Sequence, residues 1–164
     1  MTAAVLDEAL KKAALAWISV DGGPALALWC MPLDGSLIVV SGPGEQFAPG
    51  LADATRAEVR LRGDNGGLIV VSDMAVTRVQ PGSEDWATVA PQLAAKRLNA
   101  SGTADELVER WATSGAAIVR LTPDQEKPVV APDLPAGTGA EPLRDTPAVV
   151  PVKRPFKLHK VRRR

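Results

Sequence analysis

The chain has 164 residues, 46% of them hydrophobic, with four tryptophans, two phenylalanines and no tyrosine; that suffices for one domain with appendages and excludes two ordinary domains. Nineteen basic and nineteen acidic residues cancel, yet they are separated along the chain. Every acidic residue lies at or before Asp145 and seven basic ones lie in 151–164, so an acidic body of net charge −7 precedes a basic end.

Residues 4 to 15 place Val5, Leu6, Ala9, Leu10, Ala13 and Ala14 at helical spacing, opposite Asp7, Glu8, Lys11 and Lys12, which predicts a short amphipathic helix. A strand over 16–20, a DGGP turn (21–24) and a second strand over 25–33 follow. Asp34-Gly35 is a hairpin signal before a third strand, 36–42. After a loop rich in glycine and proline, 57–62 alternates with period two. GDNGG (63–67) turns the chain into a long strand, 68–79, in which Ser72-Asp73 is expected to mark a bulge.

Gln80-Pro81-Gly82 ends that strand, and Ser83 is an N-cap signal, with Glu84 and Asp85 favourable against the helix dipole. The helix it opens is expected to reach Leu98, kinked or restarted at Pro91. Thr103 and Glu106 form a capping box for another helix, 104–113, stopped by Gly115 before a last strand, 116–123. The expected fold is α+β: an antiparallel barrel of five or six strands with flanking helices, over residues 1–124. From Pro123 onward eight of the fourteen prolines crowd into 42 residues with few large apolar side chains. Such a segment buries too little surface to offset its ordering entropy, so 125–164 is expected to be a disordered or extended tail.

Little chemistry is available to a catalyst. Cys30 is the single cysteine and His159, in the basic end, the single histidine. An internal disulfide and a multi-cysteine metal site are excluded, and the body holds no histidine for a Ser-His-Asp or Cys-His arrangement or for zinc. The N-terminus has acidic residues and a helical period rather than the basic start of a signal peptide. No apolar run reaches the roughly 18 residues of a membrane span, so a cytoplasmic protein is expected.

This order of elements resembles the FMN-binding split barrel, the pyridoxamine 5'-phosphate oxidase-like superfamily, and within it the actinobacterial branch with deazaflavin-dependent proteins. The residues that carry the resemblance are the Gly22-Gly23-Pro24-Ala25 turn, the run to Ser41, Leu51 with Arg56-Ala57 five residues on, and LIVVSDMAVTRVQPG (68–82). The similarity spans roughly residues 4 to 123. It implies a homodimer, because the ligand groove of that family forms between two subunits, and FMN or a deazaflavin coenzyme as cofactor. It also implies a cationic phosphate clamp after the third strand, since a dianionic phosphate must be neutralised as it leaves water. Anchored on Leu51 and Arg56, that clamp falls on Phe47, Ala48, Pro49 and Gly50, and no lysine or arginine occurs from Ser41 to Thr55. The usual clamp is degenerate. A phosphate would instead rely on Ser41, on the backbone of Gly42, Gly44 and Glu45, and on Arg60 or Arg62 from the next strand, with Glu45 repelling it.

Other residues admit two readings. Trp29, before Cys30 and Met31 on the second strand, offers its face to a planar ring, or belongs to the core or a dimer interface. Cys30 reads as a buried hydrophobe. Lys96 and Arg97 complement a helix C-terminus, or reach a ligand phosphate or carboxylate across the dimer, as the resemblance implies. Trp17, Trp86 and Trp111 read as core or interface. In the tail, Lys153, Arg154, Lys157, Lys160, Arg162, Arg163 and Arg164 would attract a polyanion, and Phe156 and His159 could stack on bases. Nucleic acid, the ribosome or an acidic partner are the expected contacts, and a membrane is not. Three functions stay open: a flavin- or deazaflavin-dependent oxidoreductase without an identifiable acid or base, a cofactor-free binding protein acting through its tail, and a structural dimerisation module.

Overall fold

In the computed structural model, residues 2–63, 67–124 and 129–130 are described. The chain opens with α1 (Thr2–Lys12), whose exposed side carries a Glu8–Lys12 ion pair of 2.8 Å one turn apart. Its apolar stripe, Leu6 and Leu10, is buried in the barrel interior. Strands β1 (Leu15–Ser19), β2 (Leu26–Leu33) and β3 (Ser36–Ser41) follow as an antiparallel meander. Asp34 and Gly35 both adopt positive φ, 48° and 73°, the geometry of a tight primed hairpin turn. A loop over 42–55 leads to β4 (Arg56–Arg62) and β5 (Leu68–Val79). Two helices, α2 (Glu84–Lys96) and α3 (Ala104–Ser114), then intervene before β6 (Ala117–Pro123).

The strands close on themselves. β1 pairs with β2 and β4, β3 with β2 and β6, and β5 with β4 and β6, all antiparallel. This six-stranded barrel with three helices among the described residues is the α+β architecture expected from sequence. The expected tail falls outside the described residues apart from Val129–Val130, where a two-residue strand, β7, extends the sheet on β5. The seven tail cations lie outside the described residues. No helix among the described residues is long and apolar enough to cross a membrane.

Two expectations are corrected. Ser72 and Asp73 stay in register with Val59 and Glu58, and the irregularity lies between Leu61 and Arg62 instead. There Val70 opposes Leu61 and Leu68 opposes Arg62, so Ile69 is the extra residue. Ile69 packs against the barrel core and lies so close to Gly63 that a Cβ there would come within 2.9 Å of it. The helix is not restarted at Pro91, which sits inside a single helix, and it ends at Lys96 rather than Leu98.

Strand alternation separates two cores. Inward residues such as Ile18, Leu28, Val39, Val59, Val70 and Leu121 fill the barrel. On the outside, Ile38, Val40 and Ile118 of β3 and β6 meet Val89, Leu93, Leu107 and Trp111 of α2 and α3. Ser83 caps α2 by accepting from the Trp86 amide at 3.0 Å, and Arg120 ties β6 to the first turn of α2 through Asp85 at 2.7 Å. Thr103 and Glu106 form the expected capping box, and Gly115 ends α3 in the left-handed conformation.

Candidate functional site

Helices cover one outer wall of the barrel. The wall made by β4, β1 and β2 carries a different set of outward residues. Registry aligns Arg60 with Trp17 and Trp17 with Ala27 across three strands, and Leu15 with Trp29 one step along. Two arginines place their guanidiniums over tryptophan rings of β1 and β2. The Arg62 guanidinium is 4.9 Å from the Trp17 ring centre, and that of Arg97, arriving from the end of α2, is 5.5 Å from Trp29. The large apolar side chains most exposed among the described residues are Leu15, Phe47 and Leu98. Leu15 is the ladder partner of Trp29 and Leu98 follows Arg97 in the chain. Phe47 follows Gln46, whose side chain bonds the Trp29 backbone.

The 42–55 loop borders this wall, and its polar groups are engaged from within. β2 and β3 pair only from Cys30 onward. Where they part, the Gln46 amide takes the place of a strand: its Oε1 accepts from Trp29 N at 2.7 Å and its Nε2 donates to Ala27 O at 3.3 Å. Ser41 Oγ accepts from the Ala48 amide at 2.9 Å, and Leu51 is fully buried. Gly42 sits at φ 143°, where a Cβ would fall 2.7 Å from the Ala116 Cα, so only glycine permits the approach of loop and β6. The Gly42 amide donates to Gln46 O, and the Glu45 amide to Gly42 O.

Glu45 is the centre of the loop. Its side chain is 5% exposed. Oε2 accepts from Arg97 Nε at 3.1 Å and Nη2 at 2.9 Å, and Oε1 accepts from the Trp111 indole at 3.0 Å. A carboxylate this buried needs such compensation. Arg97 is also the C-cap of α2, and its Nη1 donates to Leu98 O. One carboxylate thus joins the loop, the end of α2 and the middle of α3.

The residues expected to bind a cofactor divide accordingly. Arg60 and Arg62 lie on the outer face of β4, Arg60 with its Nε on Glu58 at 2.8 Å, while Trp29 and Arg97 meet at the edge of the helix-covered core. Ser41 and Gly42 lie at the loop base in the contacts just described, and Gly44 is an exposed turn residue at φ 77°. Lys96, though next to Arg97, lines a separate groove with Asp7, Leu10, Lys11 and Asp34. Sequence reasoning placed Trp17 and Trp111 as core or interface and Glu45 only as a source of repulsion. It had no signal for their contacts, because Glu45 lies 52 residues from Arg97 and 66 from Trp111.

Cys30 points into the barrel, where burial pushes its thiol up to about 12, so it stays protonated and inert at neutral pH. Among the described residues no group of three histidine, cysteine, aspartate or glutamate side chains could hold a metal. Trp17 and Trp29 are half-buried, each with a guanidinium over its ring. The guanidinium that meets the loop, that of Arg97, is held by Glu45.

No family model matches the chain, and no curated protein matches it in sequence. Solved structures do. HutZ, the heme storage protein from Vibrio cholerae, superposes with a TM-score of 0.55 at 16% identity, over 75% of this chain and 89% of HutZ. A protein of Listeria innocua, provisionally named a pyridoxamine 5'-phosphate oxidase, gives 0.54 at 10% identity, over 80% of this chain and 98% of its own. At such identity the likeness is one of fold: the chain has the split barrel of pyridoxamine 5'-phosphate oxidase-like proteins.

Proposed function

We propose that the protein is a dimeric split barrel that holds a flavin- or deazaflavin-type ring against the wall of β1 and β2 without the usual phosphate clamp. The supporting observation is the pair of guanidiniums over half-buried tryptophans, Arg62 over Trp17 and Arg97 over Trp29, on neighbouring strands. A second copy placed on this wall would bury Leu15 and enclose the ring. When bound, the cofactor would supply hydride chemistry, while the chain supplies position and polarity. The two neighbours named above support the reading only through shared fold; one is a heme storage protein and the other is named for a pyridoxamine phosphate oxidase.

Titration of the full chain with flavins and with the deazaflavin coenzyme, followed by tryptophan quenching and cofactor emission, is expected to saturate on the order of micromolar. Absence of binding up to about millimolar, a standard free energy of only about −4 kcal/mol, would retire the ring-binding reading. Sedimentation of the same sample is expected to give a dimer, and a monomer throughout would remove that half of the proposal.

A second reading is a cofactor-free binding protein whose tail contacts nucleic acid, the ribosome or an acidic protein. The observation that favours it is the closure of the loop's own polar groups by Glu45, Gln46 and Ser41. Replacing Lys153, Arg154, Lys157, Lys160, Arg162, Arg163 and Arg164 with glutamine should then abolish a steeply salt-dependent affinity for RNA. Unchanged RNA binding, or none in either protein, would count against it.

A further inference from the structure

Arg97, whose guanidinium lies 5.5 Å from the Trp29 ring centre, is the cation placed to meet a charged substituent on a ring held beside Trp29, and the protein has already given it an anion. We infer that Glu45 is a built-in counter-ion that makes the ring site prefer phosphate-free ring ligands and disfavour phosphorylated ones. This rests on the ring-binding reading above.

The argument has three parts. Both donors that Arg97 directs at the loop converge on Glu45 Oε2, so an arriving phosphate meets a guanidinium whose charge is already neutralised. Displacing Glu45 would strand its 5%-exposed carboxylate and deprive the Trp111 indole of its acceptor, and a buried polar group left unpaired is costly. If Glu45 stays, two anions share one partly buried guanidinium, where repulsion is less screened than in water. The loop offers no replacement cation, since residues 41 to 55 contain neither lysine nor arginine. An uncharged polyol side chain incurs none of these penalties. Discrimination arises from what the site rejects rather than from added contacts to what it accepts.

The test is a fluorescence titration of the full chain with riboflavin and with FMN, which differ by the phosphate alone. Riboflavin is expected to bind about tenfold tighter or better, a difference of about 1.4 kcal/mol. Glu45→Gln, which removes the charge and frees the guanidinium, should narrow that ratio chiefly by strengthening FMN. Added salt should narrow it in the wild-type protein, because the repulsion is electrostatic. This second measurement decides the matter if the variant lacks a cooperative melt. Equal or tighter binding of FMN by the wild type overturns the inference and leaves the ring-binding reading standing. A ratio unmoved by both the substitution and salt overturns it as well. Failure of both flavins to bind overturns the ring-binding reading itself, and this inference with it.

Discussion

The two outer walls of the barrel are built by the same strand alternation and end in opposite chemistry. On β3 and β6 the outward residues are Ile38, Val40 and Ile118, and α2 and α3 bury them beneath Val89, Leu93, Leu107 and Trp111. On β4 and β1 the outward residues are Arg60, Arg62, Trp17 and Leu15, which belong to neither buried core, while Trp29 of β2 packs at the edge of the helix-covered one. An aliphatic wall needs a permanent cover, whereas a wall of tryptophans shielded by guanidiniums tolerates water and offers a flat surface to a partner. On the proposed function, stability resides in the helix-covered wall and recognition in the β4–β1 wall beside it.

That contrast can be broken by substitution. The largest effect is expected from Leu93→Ala, since Leu93 is fully buried between α2 and the barrel. Urea unfolding should show a loss of about 2–5 kcal/mol; a loss well below that would mean the covered wall is loosely packed. Arg97→Ala is expected to cost about 1–3 kcal/mol, because it leaves the buried Glu45 carboxylate held by the Trp111 indole and only in part satisfied. Arg97→Lys should not restore the loss, as an ammonium cannot present the same two-pronged donor set.

Thr103→Ala removes the hydroxyl that accepts from the Glu106 amide at 3.3 Å and should cost about 1 kcal/mol in thermal or urea unfolding. The reciprocal half of the box depends on pH. The Thr103 backbone amide, and then its hydroxyl, hold the Glu106 carboxyl below the usual carboxylate range. A depressed folded-state value means that the contribution is present at neutral pH and is lost as pH falls through that value. The deficit of Glu106→Gln should therefore be visible at pH 7 and vanish in acid; a deficit that persists there would make the contact steric. The smallest effect on stability is expected from Trp17→Leu, about 0.5–1 kcal/mol for the lost stack with Arg62. Ring affinity or dimer formation should fall far more, and an equal fall in stability would erase the distinction between the walls.

Much of the fold was legible because its signals are local. The stripe of Leu6 and Leu10, the Asp34-Gly35 turn, the Ser83 cap and the Thr103–Glu106 box each depend on residues within a few positions of one another. The site was legible only in its parts. Trp29, Arg62 and Arg97 could be singled out as candidates, but the stacking of Arg62 on Trp17 depends on β1 and β4 closing the barrel. The displaced bulge has the same origin: Ile69 is accommodated against the barrel core and Gly63, which no dipeptide signal at Ser72-Asp73 could report.

By itself the sequence determined the order of helices and strands, the absence of a cation between Ser41 and Thr55, and the separation of an acidic body from a basic end. Backbone propensity, hydrophobic period and charge are properties of neighbouring residues, so they can be read before folding. Only the tertiary structure decided which wall would be covered and which residue would satisfy Arg97. Burial and hydrogen-bond satisfaction depend on what the folded chain brings together, and Glu45 found its partners in two helices more than fifty residues away.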